Sequence, residues 1–418
     1  RYEWPVHRNI KIMELRNYQK ELANKGVTIL TVHGIVYLAM EVRTGKTLTA
    51  LEIANLYGSK NVLFITKKKA IKSIEKDYKD FGYTFNLTVI NNESLHLIHG
   101  EYDLLISDEH HRNGAFPKPN KVTQLIKQKY ANLPMIFLSG TPHPESYSQI
   151  FHQFWISNNT PFGYYSNFYK WAKDFVIEKK KYLGYANVND YSQAKMEIIK
   201  PIIEKYFIRF TQKEAGFETS VNENILYCNM LDTTYNVAKQ LKKDKVVQGV
   251  FETILADTGV KEMSKLHQIY SGTVKFESGK SAILDHSKGF FIKDKFDGEK
   301  IAIFYKFKEE FNLLKEVFGE LLTDDLSEFD NSNKNIALQI VSGREGISLA
   351  KAKYLVYFNI DFSAVSYWQS RDRLTTMERT ANDVYWIFSK GGIESKIYKA
   401  VSNKKDFTLS VFKKTYND

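Results

Sequence analysis

"LAMEVRTGKTLTALEIA" (residues 38–54) is the stretch on which the reading of this chain turns. Gly45-Lys46-Thr47 opens a segment with helical spacing, as a phosphate-binding loop does where it runs into its helix. Such a loop needs backbone N–H groups converging on the anion, a helix N-terminus behind them, and a lysine that reaches the terminal phosphates. A threonine hydroxyl then holds Mg²⁺. Thr44, Gly45, Lys46 and Thr47 can supply these parts, although Met40 stands where the consensus has its first glycine. A lone GKT also arises by chance, so the loop must be judged with its neighbours.

Short apolar runs alternate with helical patterns on either side of it, the signature of βα units around parallel sheets. "NVLFIT" (61–66), "YDLLISDE" (102–109) and "MIFLSG" (135–140) each end in polar or small residues. Ligand sites in open α/β sheets gather at those carboxyl ends. Asp108 and Glu109 stand where an apolar run stops. Phosphoryl transfer to water asks for one carboxylate to hold the magnesium and a second to orient and deprotonate the water. A surface turn that merely begins with acids leaves the preceding apolar run unexplained, and also His111 at D-E-x-H spacing. Ser139 and Thr141 close the next run, where small hydroxyl residues can bond the acidic motif and report phosphate status to the domain. Three such motifs in this order imply ATP and Mg²⁺.

A second series of runs begins at "NILYCNM" (224–230) and continues through "KIAIFYKF" (300–307), "IALQIVS" (336–342), "KYLVYFNI" (353–360) and "DVYWIFS" (383–389). The expected architecture is α/β, with two domains over 1–215 and 216–418, each a mostly parallel sheet flanked by helices. Polar "TQKEAGFETSVNE" (211–223) reads as the linker. The first half carries an aromatic-rich insertion, about 145–205, whose core "FWISNNTPFGYYSNFYKWAKDF" (154–175) reads as a helical subdomain packed by rings rather than a strand-separating wedge.

Composition agrees with a soluble globular chain: 418 residues, 43% hydrophobic and 26% charged. No apolar run is long enough to span a bilayer, and the N-terminus lacks a signal-peptide core. A single cysteine, Cys228, excludes an internal disulfide and a thiolate zinc cluster, and a cytoplasmic setting is expected. Lys and Arg total 59 against 48 Asp and Glu, a balance of +11 that favours a polyanionic partner, nucleic acid first.

With these residues in hand, nearly all of the chain resembles a superfamily 2 helicase motor, closest to the Swi/Snf-like branch. "LAMEVRTGKT" is similar to that branch's LADEMGLGKT, which also lacks the distant glycine; Arg43 replaces a glycine of the pattern. "LRNYQ" resembles the adenine-recognition motif, which implies that Gln19 meets the adenine edge with support from Arg16. "VLFITKKKAIKSIEKDYKDF" resembles a segment that makes Thr66 and Lys67 candidate contacts to nucleic-acid phosphates. "VINNESL" and "FIRFTQKE" resemble the family's INYE and RRTK segments. "IVSGREGISLAKAKYLVYFN" resembles motif V, with Gly343, Gly346 and Ser348 in step, Arg344 in place of a glycine, and Ser342 and Gly343 as further candidate nucleic-acid contacts. "YWQSRDRLTTMERT" resembles motif VI through Gln369 and Arg373, with Thr376 at its second arginine position.

The resemblance implies that the two halves are tandem RecA-like domains with ATP held between them, with Lys46 on the β- and γ-phosphates, Thr47 and Asp108 on Mg²⁺, and Glu109 activating water. Gln369 and Arg373 act from the second half. It favours DNA over RNA, duplex translocation or fork remodelling over processive strand opening, a monomer, and a compact motor like those of bacterial viruses. Arg371 and Arg379 stand near enough in sequence to substitute for the missing arginine. A rival reading, motivated by Arg43 and Thr376, is an ATP-gated clamp on nucleic acid or a partner, without useful turnover. A metal enzyme built on His110 and His111 is the poorest fit, because imidazoles beside a magnesium-type acid pair read better as a coupling histidine and its neighbour.

Overall fold

The structure is a computed structural model that describes residues 13–144, 146–182, 187–217, 220–343, 347–374, 381–403 and Phe412. The chain divides into two compact units, Arg1–Gly216 and Phe217–Asp418.

In the first unit, apolar runs become strands β1 (Ile35–Met40), β2 (Asn61–Thr66), β3 (Asn86–Asn91), β4 (Leu104–Ser107) and β5 (Met135–Leu138). A hairpin of β6 (Lys179–Tyr182) and β7 (Asn187–Asp190) precedes β8 (Phe207–Phe210). Among the described residues, one six-stranded sheet runs β3-β2-β4-β5-β1-β8, with every neighbouring pair parallel. Side chains alternate across it. Ile35, Tyr37, Leu63, Ile65, Leu105, Met135 and Phe137 enter the core on one face. Val36, Leu38, Phe64, Ile106, Ile136 and Leu138 enter the core on the other. Both faces are covered, which is why the runs are apolar throughout instead of alternating with polar residues.

Helices α1 (Asn17–His33) and α2 (Lys46–Tyr57) cover the second face through Ala23, Leu30, Ala50, Leu51, Ile53 and Ala54. The aromatic stretch covers the first. Phe151 and Phe154, on the helix Ile150–Trp155, meet Phe168, Trp171 and Phe175, on the helix Phe168–Phe175, and all of them join the sheet core. Trp171 and Phe175 stack with centroids 5.2 Å apart. The insertion is thus a lid of rings on the sheet, and it contains the β6–β7 hairpin as well as helices.

The second unit opens with β9 (Ser220–Cys228). Two short antiparallel hairpins follow, β10 (Val246–Gln248) with β11 (Thr253–Leu255), and β12 (Thr273–Lys275) with β13 (Ser281–Ile283). Strands β14 (Ile301–Tyr305), β15 (Leu322–Thr323), β16 (Asn335–Gln339), β17 (Tyr354–Tyr357) and β18 (Ala381–Ser389) complete the set. The second parallel sheet runs β15-β16-β14-β17-β18-β9 among the described residues. Each unit, taken by itself, is the expected α/β fold on a parallel sheet flanked by helices, six-stranded among the described residues. No helix among the described residues is long and apolar enough to cross a membrane.

One expectation needs correcting. The polar stretch 211–223 is not linker to its end, because β9 begins at Ser220 and pairs with β18 from Ser220↔Ala381 to Cys228↔Ser389. Its polarity had a different cause: the Glu223 carboxylate is bonded inside the unit, where it accepts from Tyr367, Arg371, Trp386 and Tyr398.

A buried ion pair also holds this unit. Lys288, on the helix Ser287–Lys295, meets Glu394, at the start of the helix Glu394–Ser402, at 2.8 Å, and both side chains are 0% exposed. Removing one partner strands the other charge without water, which costs about 3–5 kcal/mol. Lys288→Ala should therefore lower the urea midpoint strongly. The paired replacement Lys288→Met with Glu394→Leu should recover most of the loss.

Candidate nucleotide site

The loop after β1 has the form its sequence suggests. Gly45 caps α2 at φ 79° and ψ 33°. A Cβ there would lie 2.1 Å from Gln19 Nε2, so both the left-handed backbone and the close approach require glycine. Arg43, which replaces a family glycine, nonetheless takes φ 65°. Glu109 is left-handed as well, at φ 47°. Holding non-glycine residues there costs roughly 1–2 kcal/mol each, and such strain clusters at functional sites. Thr44 is fully buried, its hydroxyl donating to the Glu41 carbonyl at 2.8 Å.

Lys46 folds its amine back over the loop and donates to the Met40 and Glu41 carbonyls, each at 2.9 Å. The amine lies 3.9 Å from where a Cβ on Gly140 would stand, at the end of β5. Thr47 is half-buried in the first turn of α2.

The acids come from the end of β4, one strand beyond β5 from the loop. Asp108 accepts from the Thr66 hydroxyl at 2.8 Å and from the Glu109 N–H at 2.9 Å. Loss of water around it, and then the charge of Glu109, push its carboxyl up to about 6 against the pull of Thr66 and Lys46. Asp108 is dry, and its carboxyl stands beside that of Glu109. A divalent cation fits that pair of acids, and Thr47 and Asp108 are the oxygen donors suited to it.

Glu109 Oε2 lies 3.4 Å from His111 Nδ1, and that nitrogen is hydrogen-bonded to Ser139 Oγ at 2.9 Å. Ser139 Oγ in turn accepts from the Thr141 N–H at 3.1 Å. The acid, the histidine and the hydroxyl residues thus form one chain of contacts across β4 and β5. His110 does something different. It is buried, stacks on Phe137 at 3.7 Å, and engages Ser107 Oγ and the Gln153 carbonyl through its two nitrogens. Burial drives it down to about 3, which keeps the ring neutral, and with both nitrogens occupied it offers nothing to a metal.

Gln19 is 3% exposed and sits against the loop, its oxygen accepting from the Arg16 N–H at 2.9 Å and its nitrogen donating to the Gly45 carbonyl at 3.5 Å. The Arg16 guanidinium donates to Tyr18, whose hydroxyl donates to the Thr44 carbonyl at 3.2 Å. Tyr18 also stacks on Phe210. Sequence reasoning passed over this tyrosine, although it stands between the two residues singled out in "LRNYQ". Gln212 was likewise missed: its N–H donates to Glu41 and its side chain donates to the Val42 carbonyl, tying the loop to the segment after β8.

Thr66 is 1% exposed, with its hydroxyl committed to Asp108, so it serves the acid pair from inside rather than a phosphate from outside. Lys67 caps the short helical turn that leads into the helix Ile71–Asp80.

No protein-family model matches the sequence, and no curated protein matches it either. Many solved chains match it in fold, among them the following two. One is the Sulfolobus solfataricus SWI2/SNF2 ATPase core in complex with dsDNA, at 17% identity over 96% of this chain and 93% of that chain, with a TM-score of 0.42. The other is the Sulfolobus solfataricus SWI2/SNF2 ATPase core domain, at 18% identity over 96% and 90%, also with a TM-score of 0.42. At these scores the likeness assigns neither a residue role nor an activity to this chain.

In the second unit, Gln369 stands in the helix Ala364–Ser370 and Arg373 in the turn Arg371–Leu374 that follows. Arg373 is 6% exposed and donates to the Ile347 carbonyl at 3.3 Å. Arg371, expected as a possible substitute for the arginine missing at position 376, is engaged by Glu223 at 2.8 Å and lies over Trp368 at 4.1 Å. Gly343 ends the turn Ile340–Gly343, and a Cβ on it would meet Phe304 at 2.6 Å, so packing explains that glycine. Ser342 stands in the same turn. Arg344, Gly346, Thr376 and Arg379 lie outside the described residues.

Proposed function

We propose that this chain is a nucleic-acid-stimulated ATPase that moves on DNA. One juxtaposition carries the reading: the Lys46 amine and the N-terminus of α2, after β1, and the Asp108–Glu109 pair, after β4, gather at the carboxyl ends of the two parallel strands that flank β5, with Lys46 in electrostatic reach of Asp108. That is where α/β sheets bind ligands.

ATP is the substrate. Gln19, with Arg16 behind it, addresses the base, while the N–H groups around Thr44 and Gly45 and the Lys46 amine take the phosphates. Magnesium, held by Thr47 and Asp108, would neutralise charge on the phosphate oxygens as the terminal bond breaks. Glu109 orients the attacking water and accepts its proton, and its neighbour His111 passes the state of the site to Ser139 and Thr141. The motif VI resemblance assigns Gln369 and Arg373 to the same reaction, with Arg373 countering charge on the transferring phosphoryl group. DNA is preferred to RNA on the motif resemblance, and Lys67 is the candidate phosphate contact. The net charge of +11 suits binding that follows the backbone rather than the bases.

Hydrolysis measured with duplex, single-stranded and forked DNA and with RNA tests the reading. Duplex or forked DNA should stimulate turnover. Stimulation at sub-saturating DNA should fall more than about tenfold between roughly 50 and 200 mM salt, as counterion release demands. Tight ATP binding with no stimulated turnover would replace the motor with the clamp.

A further inference from the structure

Glu223 stands on β9, the edge strand of the second sheet, where a residue that only packs would be apolar. Its carboxylate instead accepts from the Tyr367 hydroxyl at 2.6 and 2.8 Å and from the Tyr398 hydroxyl at 2.7 Å. It also accepts from Trp386 Nε1 at 3.0 Å and from Arg371 Nη1 at 2.8 Å. Tyr367 stacks on Trp386, and the Arg371 guanidinium lies over Trp368, so rings shield these polar contacts from water. Burial and then the Glu223 bond push the Tyr398 hydroxyl up to about 12, which keeps it a donor.

Two of these donors, Tyr367 and Arg371, lead to the motif VI turn. Tyr367 lies on the helix Ala364–Ser370 and Arg371 begins the turn that carries Arg373. On its other side that turn is fastened to the segment after the motif V glycines. Leu349 N–H donates to the Arg373 carbonyl at 3.1 Å, and Arg373 Nη1 donates to Ile347. Glu223 grips one end of the turn and Ile347 with Leu349 the other.

We infer that Glu223 is a positioning residue for Arg373: through Arg371 and Tyr367 it sets the attitude of the motif VI turn, and with it the reach of the Arg373 guanidinium. The inference rests on the ATPase reading above. A guanidinium misplaced by about 1 Å lowers turnover by up to roughly a hundredfold. The β9–β18 pairing, which runs the length of both strands, holds the fold without this carboxylate.

The test uses the full chain and Glu223→Gln, which keeps size and acceptor oxygen but loses the charge that holds Arg371. Duplex-stimulated kcat should fall about tenfold or more, with KM for ATP nearly unchanged and the thermal midpoint within a few degrees. In an Arg373→Ala background the same substitution should cost nothing further, because the group it positions is gone. A wild-type kcat for Glu223→Gln, or an equal loss in both backgrounds, would overturn the inference. If Arg373→Ala itself leaves turnover intact, the proposed role of Arg373 fails first, and the two failures are thereby told apart.

Discussion

Lys46→Ala should all but abolish DNA-stimulated ATP hydrolysis, with a loss on the order of 10³ in kcat/KM, the scale seen when a preorganised charge stabiliser is removed from a transition state. The amine is already held over the loop by the Met40 and Glu41 carbonyls and lies within electrostatic reach of Asp108. It pays little to organise when phosphate arrives. Removing it takes one donor from the Met40 carbonyl, while the Glu41 carbonyl keeps the Thr44 hydroxyl; the cost is on the order of 1 kcal/mol, too little to unfold the unit. Weak binding of ATP, slow turnover and a near-normal thermal midpoint are therefore expected together. Turnover within threefold of wild type would show that the phosphates lie elsewhere.

Glu109→Gln should separate binding from chemistry. The amide keeps the size of the side chain and can still reach His111, 3.4 Å away, but it cannot take a proton from water. Loss of a general base lowers turnover by roughly 10²–10⁴. ATP binding should survive, because Lys46, Gly45 and the N-terminus of α2 are untouched. The left-handed backbone at Glu109, φ 47°, is strained in either variant, so the comparison reports on the carboxylate alone. Equilibrium binding of labelled ATP beside single-turnover hydrolysis makes the measurement. Equal losses in both would mean that Glu109 supports the loop rather than the chemistry.

Much of this was legible in the residues because parallel strands buried on both faces must be apolar throughout, and their ends must turn polar where chain and ligand meet water. The three runs read as strands in the first half lie at or within a few residues of β2, β4 and β5, whereas β3 at Asn86–Asn91 was not among them. Glu223 was illegible for the complementary reason. A carboxylate in "TSVNENI" looks like linker until the helix and strand that bring Tyr367, Tyr398, Trp386 and Arg371 to it are folded into place. Thr66 was misjudged in the same way. Its hydroxyl at a strand end suggested an outward phosphate contact, whereas the adjacent strand carries Asp108 to within 2.8 Å of it.

Local order therefore settled what short-range chemistry can settle: two α/β units, a glycine-capped helix behind a lysine, and acids closing a strand. Those depend on chain spacing and on which residues tolerate a given backbone or burial. Only the tertiary structure decided which polar groups meet. It gave Asp108 its Thr66, His111 its Ser139 and Arg371 its Glu223, and it gave His110 its partner Gln153. Partners of that kind come from segments distant in sequence, and no spacing rule along one chain specifies which of them will share a strand end.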